Sequence, residues 1–233
     1  MNLKIGLFLC YGGDILVDMD LVLKEKAEWN YYHDKSYGGS FSILYRDKNK
    51  YRQRSYQSSE LDLVKEYVGK EDVFISQGIF YRYSRKQEHL KQIGLNFVDL
   101  DCYKNPYFKK MAKEELLKVI LLFCRHQNIL TPSVVVYSGN GFQLKWFYEK
   151  PLIAQALPRW QAVQKYLIKK FESLNSDPVA RDCSRVFRLE GSINSKTGNK
   201  VEVLYNSELR YDFEFICEEF LPVLRSELEA KKK

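Results

Sequence analysis

Residues 97–104 read Phe-Val-Asp-Leu-Asp-Cys-Tyr-Lys, a strand-length apolar run that carries two carboxylates one residue apart. Side chains at i and i+2 of a strand project from the same face. Asp99 and Asp101 therefore stand side by side and repel each other unless something positive lies between them. A divalent metal is the simplest such partner for paired carboxylates. Phe97, Val98 and Leu100 are too apolar for a wet edge, so the run is expected to be a central strand with Asp99 and Asp101 as metal ligands.

The surrounding pattern sets the fold class. Strands are expected over 3–10, 38–47, 72–81 and 95–103. Helices are expected over 58–69, with Leu61, Val64 and Val68 at helical spacing, and over 86–94, stopped by Gly94. Residues 113–128 form a stronger amphipathic helix, and 133–149 divide at Ser138-Gly-Asn-Gly141 into a hairpin. A helix over 159–174, strands over 184–193 and 200–206, and a helix over 213–230 interrupted by Pro222 complete the order. The fold class is α+β, mostly antiparallel strands with helices on one side.

Composition narrows the setting. The 233 residues are 45% hydrophobic, enough for a good core, and carry a net charge of +7, which favours a polyanionic partner. Cys10, Cys102, Cys124, Cys183 and Cys217 are scattered and read as reduced thiols. His33, His89 and His126 lie far apart, so no zinc site is expected. The run IGLFLC is too short for a signal peptide and no apolar run approaches a membrane span, so a soluble cytoplasmic protein without a membrane partner is expected.

Two further segments extend the chemistry. The Ser138–Gly141 turn exposes backbone N–H groups at close quarters, which suits a triphosphate, and Gln143 and Lys145 follow at i and i+2. Residues 177–200 contain Asp177 and Asp182, then Arg185 and Arg188, then Asn194, Lys196 and Lys200. Acids for metal followed by cations for phosphate are what phosphoryl transfer on a polyanion requires. Each segment alone has a plain structural reading: a wet strand face, an ordinary hairpin turn, a salt-bridged loop. Their joint occurrence in this order is harder to explain that way.

The ordered set Asp99-x-Asp101, Ser138-Gly-Asn-Gly-Phe-Gln143, Asp177 with Arg185-Val-Phe-Arg188 and Asn194-Ser-Lys196 resembles the three-motif core of the archaeo-eukaryotic primase (AEP) superfamily. The nearest flavour is the primase-like replication proteins of bacterial plasmids and integrative mobile elements, and the likeness spans about 70–205. It implies an RRM-like, mostly antiparallel catalytic module over 71–210, packed against an N-terminal α/β module over 1–70. A C-terminal helix and basic tail over 211–233 follow. Asp99, Asp101 and Asp177 match the metal-binding acids, with Asp182 the alternative third. Ser138, Gly139, Asn140, Gly141, Gln143, Lys145, Arg185, Arg188 and Lys196 line the nucleotide site. Gln143 stands where the family usually has histidine, which gives up the charge-assisted part of a phosphate contact, about 1–2 kcal/mol.

The implied activity is DNA primase or primase-polymerase: Mg²⁺- or Mn²⁺-dependent nucleotidyl transfer from nucleoside triphosphates, NTP or dNTP, on single-stranded DNA, at a two-metal site. Arg82, Arg85, Lys86 and Lys200 are expected to meet DNA, with Tyr81, Tyr83 and Trp146 available for base stacking. A helicase or other replication proteins of the element are further expected partners. Two readings remain beside it: a weak or inactive origin-binding replication-initiation protein, which Gln143 favours, and a two-metal nuclease, against which the triphosphate-sized turn argues.

Overall fold

The computed structural model describes residues 26–221. The strand expected over 3–10, Cys10 and the chain beyond Leu221 lie outside them. The first strands, β1 (Ser40–Asp47) and β2 (Lys50–Gln57), form a hairpin paired continuously from Ser40–Gln57 to Asp47–Lys50. Then come β3 (Phe74–Ser76), β4 (Gly78–Phe80), β5 (Leu90–Leu100) and α1 (Lys113–His126). The chain continues through β6 (Val134–Tyr137), β7 (Phe142–Ile153), α2 (Leu157–Lys170), β8 (Val186–Arg188), β9 (Glu202–Asn206) and α3 (Phe213–Phe220). The sheet order is β8-β3-β1-β4-β5-β7-β6-β9, with β2 on the free side of β1, and every pairing between these strands is antiparallel. The architecture is α+β, as the pattern predicts.

β1 and β4 meet at one pair only, Ser40–Phe80, so the sheet works as two leaves. They enclose an aromatic core in which Phe97 of β5 meets Phe187 of β8 edge-on at 4.9 Å and Tyr32 lies 5.9 Å from Phe147. Helices cover the other face of β5 and β7, where Trp146 meets Phe171 and Phe220 at 6.1 and 6.4 Å. Each such ring, fully buried, contributes about 2–3 kcal/mol relative to exposure.

Four elements differ from the sequence reading. Residues 86–94 are not a helix: a single 3₁₀ turn at Gln87–His89 leads into β5, which runs straight through Gly94. Pairing with β4 and β7 overrides the weak helical spacing there, and the register shift between Ile93 and Leu95 absorbs Gly94. Ser58–Tyr67 winds as 3₁₀ rather than α-helix. The strand expected over 72–81 breaks at Gln77 into β3 and β4, which pair to different partners. The strand expected over 184–193 narrows to the three residues of β8.

The break between β3 and β4 has a consequence for the site. β4 stops pairing with β5 at Ile93, so the C-terminal half of β5 has a bare edge. Gln164 of α2 takes the Phe97 N–H and donates to its carbonyl, at 3.2 and 2.6 Å. Residues 175–177 finish that edge: Asp101 N–H donates to the Asn175 carbonyl and Asp177 N–H to the Asp99 carbonyl, at 2.9 and 2.7 Å. Backbone polar groups must be satisfied when buried, and satisfying these brings a third acid alongside the first two.

Candidate active site

Asp99 lies directly across from Gln143 in the β5–β7 register, so their side chains share the face that looks between the two leaves. Asp101 sits one residue past the strand end, where its carboxylate accepts from Lys104 Nζ at 2.5 Å. Asp177, on the neighbouring segment, accepts from Val179 N–H at 2.9 Å and pairs with the Arg185 guanidinium. Burial, then the negative charge of Asp101, pushes the Asp99 carboxyl up to about 7; Asp177 adds to the rise, while Arg185 and Lys145 oppose it. Asp99 is half-buried rather than sealed, so water screens part of that repulsion. Asp182 is turned elsewhere, its carboxylate accepting from Ser184 N–H at 2.9 Å and from the Ser184 hydroxyl.

The Ser138–Gly141 turn abuts the end of β5. A Cβ on Gly141 would lie 2.3 Å from the Leu100 carbonyl oxygen, so only glycine allows this approach. Gly139 has φ +86°, and a Cβ there would lie 2.6 Å from the Asn194 Cβ. The basic turn expected at 194–200 braces it: Asn194 Nδ2 donates to the Ser138 carbonyl at 3.2 Å, and Thr197 Oγ1 and Asn199 Nδ2 to the Gly139 carbonyl at 2.8 and 2.9 Å. Lys196 projects from the same brace, exposed. Gln143 is buried beside Asp99, and its Oε1 has no hydrogen-bond partner. It is one of five such atoms among the described residues, and as an acceptor it would take a donor or a cation rather than a phosphate oxygen.

No family model matches the sequence. A replication protein of Clostridium perfringens is 34% identical over 213 residues, which are 91% of this chain and 50% of that protein, so the chain spans half of that relative's length. Among solved structures, the AEP domain of the cyanophage S-2L primase-polymerase matches with a TM-score of 0.53 at 16% identity, over 78% of this chain and 88% of that one. The catalytic domain of primase RepB′, solved in complex with initiator DNA, has a TM-score of 0.49 at 16% identity, over 84% and 91%. The fold is that of an AEP domain.

Within this AEP fold some expected site residues do other work. Lys145 shares the Asp99 face but is fully buried, donating to Glu28 Oε1 at 2.5 Å and lying 4.9 Å from the Tyr32 ring. It cannot reach a nucleotide; it acts on the site as a buried positive charge. Trp146 is sealed under the helices, its indole N–H donating to the Leu130 carbonyl at 2.8 Å, so it cannot stack on bases. Arg188 lies over Phe74 at 4.7 Å and donates to Asp72 Oδ1 at 2.8 Å, which makes it a structural cation rather than a phosphate ligand. Arg85 bonds Gln53 Oε1 at 2.8 Å and the Ser184 carbonyl at 2.5 Å, while Arg82, Lys86 and Lys200 are exposed.

Nothing in the local spacing singles out Asp72, because an acid just before a strand reads as a solvated turn. It is buried at φ +49° and gathers Arg188, Arg46 and the Ser195 hydroxyl, tying β3, β8 and β1 to the brace at 194–199. Burial alone would raise its carboxyl, but the bonds from Ser195 and Arg188 win and hold it down to about 2. With a folded value below the ordinary 3.8, its contribution of about 2 kcal/mol is present above pH 4 and lost as pH falls towards 2. Asp72→Asn should therefore lower stability in urea at pH 7 by about 2 kcal/mol and flatten the acid limb below pH 4. An unchanged acid limb would remove Asp72 from that role.

The described residues include no group of three acidic, histidine or cysteine side chains poised to enclose a metal ion. Asp101 and Asp177 are instead neutralised by Lys104 and Arg185. The donor chemistry nevertheless fits a hard dication: oxygen-only carboxylates on adjoining backbone segments, with Asp99 drawn towards protonation by burial and by its neighbouring acids. Among the described residues no helix is long and apolar enough to cross a membrane, and the four cysteines there are buried and free.

Proposed function

We propose that this chain is a replication primase or primase-polymerase domain that joins nucleotides on a single-stranded DNA template. The observation that carries the reading is the backbone pairing that brings Asp99, Asp101 and Asp177 onto adjoining segments opposite Gln143, with the Asp99 carboxyl raised there by burial and by its neighbouring acids. The fold of the cyanophage primase-polymerase domain and the replication-protein relative support it. A bound Mg²⁺ or Mn²⁺ at Asp99, Asp101 and Asp177 would supply the charge that activates a 3′-hydroxyl and neutralises departing pyrophosphate.

The chain's own groups bind and orient the triphosphate. Arg185, now bridged to Asp177, swings to the phosphates once that carboxylate has another cation partner. The Gln143 amide donates to a phosphate oxygen in the place of a charged imidazole, and Lys196 adds charge from the brace. The Ser138 and Gly141 N–H groups are bonded within their own turn, so the phosphate position falls to the Gly139 and Asn140 N–H groups.

Arg185→Ala should raise the nucleotide KM by about 10-fold or more, the worth of a charge-assisted bond. Gln143→Ala should raise it several-fold with single-stranded DNA affinity unchanged. Steady-state incorporation at varied nucleotide concentration reads both. If neither KM moves, or if DNA affinity falls equally, the phosphate assignment is wrong.

A further inference from the structure

The chain's surplus charge is concentrated in two neighbouring segments, on both faces of one edge strand. The β1–β2 hairpin, residues 40–57, has five Lys/Arg (Arg46, Lys48, Lys50, Arg52, Arg54) against one acid, Asp47. Residues 81–91 have four (Arg82, Arg85, Lys86, Lys91) against one, Glu88. Together these two segments hold an excess equal to the +7 of the whole chain, so everything else is neutral in sum. They also touch: Gln57 Nε2 donates to the Tyr83 hydroxyl at 2.6 Å, and Arg85 Nε donates to Gln53 Oε1 at 2.8 Å.

Edge strands often carry lysine or arginine simply to discourage sheet-to-sheet aggregation. That does not account for the exposed aromatic rings, which share one face of β2 with the Arg82–Lys86 loop while Lys50, Arg52 and Arg54 line the other. Tyr51, Tyr81 and Tyr83 are 54%, 69% and 59% exposed, among the most exposed large apolar side chains described. Exposed rings interleaved with cations are the pattern that grips unpaired bases, because every base offers a π-face while a duplex hides its own. From Lys50 to Arg54, β2 is exposed on both faces, and the whole strand spans roughly 26 Å at about 3.3 Å per residue.

The surface also leads to the site. Arg85 donates to the Ser184 carbonyl at 2.5 Å, and the next residue, Arg185, bridges to Asp177. We infer that the outer β1–β2 hairpin, with the Tyr81–Lys86 loop folded against it, is a docking track for single-stranded DNA that delivers the strand to the Asp99 site. This rests on the proposed nucleotidyl-transfer function for its direction, while the binding itself stands apart from that function.

The test is fluorescence anisotropy with a labelled single strand and with a duplex of equal length, on the full chain, from low to moderate salt. Lys48→Gln/Lys50→Gln/Arg54→Gln should weaken single-strand binding by about 10-fold or more and reduce the slope of log K against log salt by about 2, at about 0.7 per phosphate contact. Tyr51→Ala/Tyr83→Ala should weaken single-strand binding while leaving the salt slope and the duplex affinity unchanged. Unchanged affinity and slope in the charge variant would overturn the track. Equal loss on duplex, with no effect of the tyrosine variant, would overturn its single-strand character. A chain that binds single strands through these residues yet incorporates no nucleotide keeps the track and contradicts the proposed function instead.

Discussion

Asp99→Asn is expected to give a protein that is more stable than wild type at pH 8 and that joins no nucleotides. The carboxyl of Asp99 sits at about 7 in the folded chain, above its ordinary 3.8, so the native state holds its proton more tightly than the unfolded one. Stability then falls as pH rises between those values, and an amide escapes the penalty. After screening by the water that reaches this half-buried group, the gain is about 1–3 kcal/mol at pH 8 and none at pH 4. Urea denaturation at both values measures it. Added Mg²⁺ should stabilise wild type at pH 8 and not the variant, since binding to the native state alone raises its stability. A variant no more stable than wild type at pH 8 would mean that neither burial nor the neighbouring acids penalise the charged Asp99.

Lys145→Met should have the opposite sign and a larger size. Burial pushes Lys145 down and Glu28 up, so both partners of this ion pair are drawn towards their neutral forms despite their contact at 2.5 Å. Removing one partner of a buried pair typically costs 3–5 kcal/mol, because the other charge remains without an answer. Glu28 can answer by protonating, so the loss should be large at pH 8 and smaller at pH 5. The double change Glu28→Gln/Lys145→Met should recover most of it, as apolar or neutral replacement of both partners often does. If the double variant is no better than the single one, Lys145 is held by something other than Glu28.

How much of this could be read beforehand depends on whether the signal was local. The helix over 113–126 and the hairpin around Ser138–Gly141 each follow from spacing within a few residues, whereas the strand expected over 95–103 ends at Leu100 and leaves Asp101 in a turn beyond the i, i+2 face. The shared face of Gln143 and Lys145 follows from strand alternation, while Asp99 joins it through the β5–β7 register, a long-range pairing. What alternation cannot show is what covers that face: Glu28 and Tyr32 come from more than a hundred residues away to seal Lys145. The same distance effect hides Asp72, whose partners Arg46, Arg188 and Ser195 lie on three separate segments. Residues 86–94 mislead because Leu90 and Ile93 suit a helix locally, and only the β4 and β7 edges make them strand.

The proposed function places nucleotidyl transfer at the carboxylates around Asp99. The most direct measurement is incorporation of labelled nucleotide, NTP and dNTP separately, on a single-stranded DNA template with Mg²⁺ or Mn²⁺, comparing wild type with Asp99→Asn after both are shown to be folded. Metal-dependent products from wild type, none from Asp99→Asn, is the predicted result. The same background-level incorporation from both proteins with either metal would contradict it.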